Sequence, residues 1–235
     1  MGNRIVTFEP GEWYHCFTRG VDKRQIFLSV ADYERYLMLL YACNSTEPIH
    51  VSNMGTRHQG PALTKVLACE RGHPLVDIGA YCLMPNHSHL LLREVIDGGV
   101  SLFMQKVGTG YTMFFNKKYE RIGTLFSSRF KALHIGTDQY LQRAANYIHA
   151  NAAELYEPRW KDGIVQDRKK LKEKLLAYQF SSLLDYEYEN VARPHKSIIN
   201  VVALSEVLDQ ALSFETLMEE AEIYCRSNKG DLKGY

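Results

Sequence analysis

Two apolar runs joined by a Pro-Asn pair predict a β-hairpin over residues 76–95. The first run, VDIGAYCLM at 76–84, is typical of a buried strand, and Pro85-Asn86 is typical of a tight turn. The second strand, HSHLLLREV at 87–95, begins with two histidines that are separated by one serine. A hairpin this apolar needs the cover of other elements, so it predicts an antiparallel sheet with a buried face.

Further strands and helices flank the hairpin. Alternation predicts a strand at 13–20, and the helical spacing of apolar residues predicts a helix at 31–45. The other predicted elements are helix 98–120 with Ser101 as its N-cap and a weak point at Gly108 and Gly110, strand 129–137, helix 137–156 capped by Thr137 or Asp138, and a last helical segment at 203–227. This order predicts an α+β fold, ferredoxin-like, in which helices pack on one face of an antiparallel sheet.

The character of the chain changes near residue 156. Residues 1–156 contain the predicted sheet, and 46–74 is a loop-like excursion from it, with a short helix expected at 62–70. Residues 157–235 begin with charged and aromatic runs. We expect them to form a mostly helical C-terminal extension that packs on the core or touches a ligand.

Composition bounds the class of protein. Of the 235 residues, 46% are hydrophobic, which is ordinary for a soluble domain with a true core. The sequence has no run of about 18 apolar residues, so no membrane span is expected. Its five cysteines are scattered, without the spacing of a metal site. They predict reduced thiols and a cytoplasmic location.

Charge is unevenly distributed along the chain. The formal net charge is only +1, yet residues 101–131 carry six basic side chains against Glu120 alone, a local balance of +5. The basic residues of this segment are Lys106, Lys117, Lys118, Arg121, Arg129 and Lys131. Such a segment predicts a basic surface that faces an anion, and the alternative is a solvated helix face.

The paired histidines of the hairpin are candidates for metal ligation. Residues i and i+2 of a strand point to the same side, so His87 and His89 face one way and Ser88 the other. Two imidazoles on one side can share a metal ion and leave positions for a third ligand and a substrate. The alternative is a pair of half-exposed polar residues at a strand end. The sequence lacks His-Glu-x-x-His and Gly-x-Ser-x-Gly, so the zinc-peptidase and serine-hydrolase patterns are missing.

Tyrosine is the candidate nucleophile, because three tyrosines have an asparagine one helical turn later. The pairs are Tyr147 with Asn151, Tyr186 with Asn190, and Tyr224 with Asn228. Acidic neighbours of Tyr186 would repel a phosphate, and Tyr224 ends the last predicted helix, distant from any site. Tyr147 follows the basic segment and is therefore favoured. The alternative for Tyr147 is a packed side chain with a bonded hydroxyl.

The chain resembles the HUH-type single-tyrosine transposases, and most closely the transposase-like branch associated with REP palindromes. The stretches that carry the resemblance are WYHCFTRGVDKRQIF, YCLMPNHSHLLL and GTLFSSRFKALHIGTDQYLQRAANYIHANAAEL, within roughly residues 8–156, and YQFSSLLDY beyond them. The resemblance implies a ferredoxin-like catalytic domain over residues 1–156. Such a domain binds single-stranded DNA with a hairpin or palindrome, cuts one strand, and holds the 5′ end on a tyrosine.

Roles for individual residues follow from the resemblance. His87 and His89 match the histidine pair that binds Mg²⁺ or Mn²⁺, Asn151 matches the polar third ligand, and Tyr147 matches the nucleophile. The side chains expected to contact DNA are Arg19, Arg24, Lys117, Lys118, Arg129 and Lys131. The expected setting is a monomer or homodimer in the cytoplasm of a prokaryotic cell, near the nucleoid and without membrane contact.

The sequence departs from the family pattern at four places, none of which removes a catalytic atom. Thr18 stands where asparagine is common, Ser88 where a bulky apolar residue is common, Ser127-Ser128 where Gln-Gly is common, and Ala152-Ala153-Glu154 where Pro-Val-Arg is common. Two other functions stay open: a DNA-binding protein of the same fold without turnover, and a metal-dependent phosphoesterase that uses activated water.

Overall fold

Four antiparallel strands form one sheet. The structure, a computed structural model, describes residues 6–51, 54, 62–187, 193–205 and 213–232. The strands are β1 (Trp13–Arg19), β2 (Val76–Met84), β3 (His87–Glu94) and β4 (Lys131–Ile135). Their spatial order is β2-β3-β1-β4, and all three neighbouring pairs are antiparallel. This order is that of a ferredoxin-like sheet, so the predicted α+β fold is confirmed.

Helices account for most of the other described residues. They are α1 (Val30–Ala42), α2 (Leu63–Leu67), α3 (Gly99–Lys118), α4 (Asp138–Ala150), α5 (Arg168–Ala177), α6 (Leu183–Glu187), α7 (Val201–Ser205) and α8 (Phe214–Ser227). Short 3₁₀ turns at Asn151–Leu155 and Trp160–Asp162 follow α4. The predicted helix at 137–156 thus ends as an α-helix at Ala150 and continues as a 3₁₀ turn.

Three local predictions need correction or lie partly outside the described residues. Helix α3 is capped by Gly98 rather than Ser101, and it runs without a break through Gly108 and Gly110. Part of the 46–74 excursion, 52–53 and 55–61, lies outside the described residues, as does 206–212 within the predicted last helix. The segment at 203–227 contains the end of α7 and the whole of α8.

Side chains of the sheet alternate between two apolar clusters. Tyr14 and Cys16 of β1 join the cluster that contains α1 and α3, whereas Trp13 and Phe17 join the cluster that contains α4 and α8. The two helices of the ferredoxin-like unit therefore lie on one face, as predicted. Helices α4 and α8 form a second layer on the opposite face, which the prediction of helices on one face did not include.

The segment after residue 156 shares the main core. Leu171 and Leu175 of α5 and Met218 and Ala221 of α8 belong to the same buried cluster as α4. The chain also bonds along the edge of β2, where Leu83 N donates to the carbonyl of residue 180 and Ser182 N donates to the carbonyl of residue 81, at 2.9 and 3.0 Å. The extension therefore packs on the core, one of the two placements expected for it.

Within the described part of the chain, no helix is both long and apolar enough to span a bilayer. All five cysteines are free thiols, and Cys16 and Cys82 are buried in the core.

Candidate metal and nucleophile site

The two histidines lie at the start of β3, on the face covered by α4. In the register of β3 with β1, His87 is opposite Arg19 and His89 is opposite Phe17. Only 3% of His87 is exposed, and His89 is fully buried. The alternative of two half-exposed polar residues is therefore wrong, since both rings lie inside the molecule.

Helix α4 brings Tyr147 and Asn151 to the histidines. Asn151 Oδ1 lies 3.3 Å from His87 Nε2. The Tyr147 ring lies 5.5 Å from the His89 ring, nearly perpendicular to it. The helical spacing of four residues places the phenol and the amide one turn apart on the side that faces β3. The four side chains that the sequence singled out thus meet at one place.

The donor atoms of this cluster suit a cation. Asn86 Oδ1 lies 2.6 Å from His87 Nδ1, which therefore donates its N–H and leaves Nε2 as a lone pair. That lone pair faces the oxygen of Asn151 at 3.3 Å, so two acceptors converge. Two ligands of one octahedral ion with bonds of about 2.1 Å lie roughly 3 Å apart, so an ion between these atoms would satisfy both.

A third ligand beside the two histidines would have to come from an amide. Among the described residues, no group of three His, Cys, Asp or Glu side chains is placed to hold a metal ion. A site here would consist of His87 Nε2, the ring nitrogen of His89 that does not face His15, and Asn151 Oδ1. Two imidazoles and one neutral oxygen carry no negative charge, which predicts weaker binding than a carboxylate site.

Burial keeps both histidines in the form that can bind a metal. It lowers the pKa of His87 to about 3, helped by the positive charge of Lys161 and opposed by Asn151. Burial also holds the pKa of His89 well below 6.5, and the neighbouring rings of His87 and His15 act in the same direction. Both imidazoles are therefore neutral at pH 7.

Tyr147 is fully buried. Burial raises the pKa of Tyr147 far above its usual value near 10, and a hydrogen bond with the Asn151 side chain opposes the rise. The alternative of a packed tyrosine side chain with a bonded hydroxyl therefore stays open beside the nucleophile.

Two residues that sequence reasoning did not place in the site belong to it. His15 Nε2 lies 2.8 Å from His89 Nδ1, and His15 Nδ1 lies 3.0 Å from the Tyr224 hydroxyl. The rings of Tyr224 and Tyr147 are 5.3 Å apart. The expectation that Tyr224 is distant from any site is therefore wrong. Alternation along β1 could have put His15 on the histidine face, but nothing local to Tyr224 signals its position.

The unusual Thr18 and Ser88 compensate each other on the opposite face of the sheet. Ser88 Oγ lies 2.9 Å from Thr18 Oγ1 and 3.0 Å from the Tyr36 hydroxyl. Ser88 is fully buried, so these partners offset the cost of burying its hydroxyl. The expectation that Ser88 faces away from the candidate metal ligands is confirmed.

Glu154, which also departs from the family pattern, has a hydrogen-bond partner as well. Glu154 Oε2 accepts a hydrogen bond from Lys161 Nζ at 2.7 Å. The same ammonium lies 5.9 Å from the centre of the Tyr147 ring. Trp160 packs on that ring at 6.1 Å. The 3₁₀ turn at Trp160–Asp162, from the C-terminal extension, therefore covers the candidate nucleophile.

Predicted DNA-contacting residues gather on the histidine face. Arg19 lies opposite His87 in the sheet, and Lys131 lies opposite Phe17, which itself lies opposite His89. Cross-strand partners point to the same face, so Arg19 and Lys131 flank the cluster. Lys131 is exposed, and Arg19 is partly exposed.

The remaining predicted contacts are dispersed. Arg129 and Lys117 are exposed, and Arg24 is partly buried. Lys118, in contrast, donates to the buried carboxylate of Asp32 at 2.6 Å, which ties the end of α3 to the start of α1. Lys118 therefore has a structural role within the fold.

The basic segment 101–131 is not one continuous surface. Lys106 Nζ donates to the carbonyl of Ser45 at 2.9 Å, and Arg121 Nη1 donates to Asn116 Oδ1 at 2.7 Å. With Lys118, three of the six cations are committed to contacts within the protein. Of the other three, Lys131 at the start of β4 lies on the histidine face.

Comparisons with known proteins agree with this architecture. Residues 56–151 match the family model described as "Transposase IS200 like", a range that contains His87, His89, Tyr147 and Asn151. A solved structure of a REP-associated tyrosine transposase bound to a REP hairpin is similar, with a TM-score of 0.50 and 12% identity over 83% of this chain and 90% of that one. At this identity the similarity concerns the fold. No curated protein matches the chain by sequence. The resemblance to single-tyrosine transposases is confirmed.

Proposed function

We propose that this chain, whose motif region and fold are similar to those of IS200-like transposases, is a metal-dependent DNA strand transferase. It cuts single-stranded DNA beside a hairpin and keeps the 5′ end as a phosphotyrosine on Tyr147. The observation that carries the proposal is the convergence of His87 Nε2 and Asn151 Oδ1, 3.3 Å apart, beside the buried side chain of Tyr147. The likeness to a transposase solved with a REP hairpin supports the choice of partner.

In the proposed reaction, the metal ligands and Tyr147 have different roles. His87, His89 and Asn151 would hold Mg²⁺ or Mn²⁺, whose contribution is to polarise a non-bridging oxygen of the scissile phosphate. Tyr147 Oη forms a bond to phosphorus while the bond from phosphorus to the 3′ oxygen breaks. The phenol loses its proton and the departing 3′ oxygen gains one, so charge is conserved. Rejoining is the reverse reaction, and no nucleotide cofactor is needed.

The Tyr147 phenol begins the reaction with its proton. In the closed conformation burial raises the pKa of Tyr147 above 10, so the phenol is protonated at neutral pH and has to lose this proton during cutting. In the same conformation Lys161 Nζ lies 5.9 Å from the centre of the Tyr147 ring.

Phosphate contacts would position the strand. Arg19 and Lys131 flank the histidine face, and Arg129, two residues before Lys131 in the chain, is also exposed. Such groups bind the DNA backbone without reading its sequence. Lys117 and Arg24 lie farther from the cluster along the chain and would contact the flanking duplex or strand.

The cluster is closed in this conformation. His89, Tyr147 and Asn151 are fully buried, so a phosphodiester cannot reach them without movement of a covering segment. We infer that DNA displaces the turn at Trp160–Asp162, which is held over Tyr147 by the ion pair of Lys161 with Glu154.

This burial also favours a second candidate function, a DNA-binding protein without turnover. In that case Tyr147 is a core residue, and the histidine face is a closed remnant of a catalytic site. Both candidates predict hairpin binding, and only the first predicts a covalent complex.

Covalent trapping separates the two candidates. The full-length protein is incubated with a library of hairpin-bearing single strands and Mn²⁺, and adducts are resolved under denaturing conditions. We expect an adduct from the parent protein and from Tyr36→Phe, which removes a buried hydroxyl on the opposite face of the sheet, and none from Tyr147→Phe. Hairpin binding by the parent without any adduct would overturn the transferase and support the binding protein.

A further inference from the structure

We propose that His15 and Tyr224 form a hydrogen-bonded chain behind His89 that fixes the tautomer of His89, so that its outer nitrogen presents a lone pair to a metal ion. The inference rests on the metal site proposed above. Both are positioning residues, since they reach the reaction only through His89. A helix of the C-terminal extension would thereby be a working part of the site.

All three members of the chain are fully buried. His15 lies on β1, His89 lies on β3, and Tyr224 reaches them from α8. The separations are 2.8 Å from His89 Nδ1 to His15 Nε2 and 3.0 Å from His15 Nδ1 to the Tyr224 hydroxyl. The imidazoles of His15 and His89 are therefore in direct contact, and water cannot reach the ring nitrogens that take part.

Donors and acceptors can be assigned first at Asn228, the residue of the network farthest from His89. Asn228 Nδ2 lies 2.9 Å from the backbone carbonyl of Tyr224, and a carbonyl only accepts, so this atom of Asn228 is the amide nitrogen. The amide oxygen of Asn228 then faces the Tyr140 hydroxyl at 2.7 Å, and Tyr140 must donate to it. The oxygen of Tyr140 keeps lone pairs for another donor.

The same assignment of donors continues from the two tyrosines, Tyr140 and Tyr224, to His15 and His89. The ring of Tyr224 lies 5.1 Å from the ring of Tyr140, and in the chain we propose the Tyr224 hydroxyl donates toward the oxygen of Tyr140. The oxygen of Tyr224 then accepts from His15 Nδ1–H. A neutral imidazole has one N–H, so His15 Nε2 is a lone pair and accepts from His89 Nδ1–H. His89 Nε2 is left unprotonated, which is the state a metal ligand requires.

If the hydrogen bonds were donated in the opposite direction, His89 could not bind a metal ion through Nε2. If the Tyr224 hydroxyl donated to His15, then His15 Nε2–H would donate to His89 Nδ1 and the proton of His89 would sit on Nε2. The proposed network therefore favours the metal-binding tautomer of His89. Partners of this kind behind a metal-ligating histidine typically change metal affinity 10- to 100-fold when they are replaced.

Nitrogen-15 NMR of the full-length protein without metal reads the tautomers directly. We expect His89 and His15 each to carry their proton on Nδ1 in the parent. In Tyr224→Phe the acceptor for His15 is lost, and we expect a fraction of His89 to move its proton to Nε2. A parent His89 protonated on Nε2 would overturn the inference whatever the metal data show.

Titration with Mn²⁺ supplies the second readout. We expect affinity to fall about 10-fold in Tyr224→Phe and 10- to 100-fold in His15→Leu. His15→Gln should retain most of the affinity, because its side-chain oxygen can accept from His89. Tyr36→Phe removes a buried hydroxyl on the opposite face of the sheet and should leave affinity unchanged.

The two proposals fail differently. A parent protein that binds no Mn²⁺ overturns the metal site of the proposed function, and the NMR tautomers then decide the hydrogen-bonded chain alone. A parent that binds Mn²⁺, with unchanged affinity and unchanged tautomers in Tyr224→Phe and His15→Leu, overturns the chain and leaves the proposed function standing. Circular dichroism and thermal unfolding confirm that each variant is folded.

Discussion

Acidification should unfold this protein through its buried histidines. Burial lowers the pKa of His15, His87 and His149 to about 3 and that of His89 well below 6.5. In the unfolded chain each titrates near 6.5. As pH falls below 6.5, the unfolded chain takes up protons that the folded protein cannot, so stability that is present above this pH is lost.

The magnitude follows from the number of histidines. Each one costs about 1.4 kcal/mol of stability per pH unit below 6.5, and four together cost roughly 5 kcal/mol per pH unit. Two other groups roughly cancel: burial lowers the pKa of His195 to about 4 and raises that of Asp185 to about 6. From pH 7 to pH 5 the loss is therefore roughly 8 kcal/mol, comparable with the whole stability of a typical domain.

Urea unfolding measured between pH 7.5 and pH 5 tests this reasoning. We expect the free energy of unfolding to fall with a slope that corresponds to about four protons. His149→Gln, which changes a buried ring bonded to Ser182, should reduce the slope by about one proton. Ser182→Ala, which removes the hydrogen-bond partner of that ring but no titrating group, is the control and should keep the slope of the parent protein. A slope near zero, or equal slopes in the two variants, would refute the argument.

Three further predictions concern the site and its surroundings. His87→Ala and His89→Ala should each abolish Mn²⁺ binding in calorimetry while the fold survives, and unchanged binding in both would remove the metal site. Replacing Arg129 and Lys131 with glutamine should weaken binding to all hairpins alike and reduce the salt dependence by up to two counterions, more than the same change at exposed lysines of α5. Ser88→Ala should destabilise the protein by about 1–3 kcal/mol in urea, because two buried hydroxyls lose a partner, without changing Mn²⁺ affinity.

Local patterns in the sequence predict the sheet and its first helices. The turn at Pro85-Asn86 and the apolar runs around it define β2 and β3, and helical spacing defines α1 and α4, because each pattern lies within a few turns of chain. The two-residue period of a strand places His87 and His89 on one side. The four-residue period of a helix pairs Tyr147 with Asn151.

Long-range contacts explain what the sequence could not predict. His15 and Tyr224 are 209 residues apart, and no local pattern at either position signals their hydrogen bond. The hydrogen bond from Lys118 to Asp32 forms because α3 ends beside the start of α1, although the two residues are 86 positions apart in the sequence. The second helical layer has the same origin, since α8 reaches the sheet only through the folded extension. Contacts of this kind depend on the tertiary fold rather than on propensity.

The location of the DNA on the protein tests the central claim most directly. The parent protein is trapped with a cleavable hairpin strand and Mn²⁺, digested, and sequenced by mass spectrometry. We predict a 5′-phosphonucleotide on the phenol oxygen of Tyr147, within the peptide of α4, and none in the Tyr147→Phe protein. A nucleotide on Tyr140 would keep the chemistry and correct the residue. An adduct that persists in Tyr147→Phe without a nucleotide on any tyrosine would contradict the account.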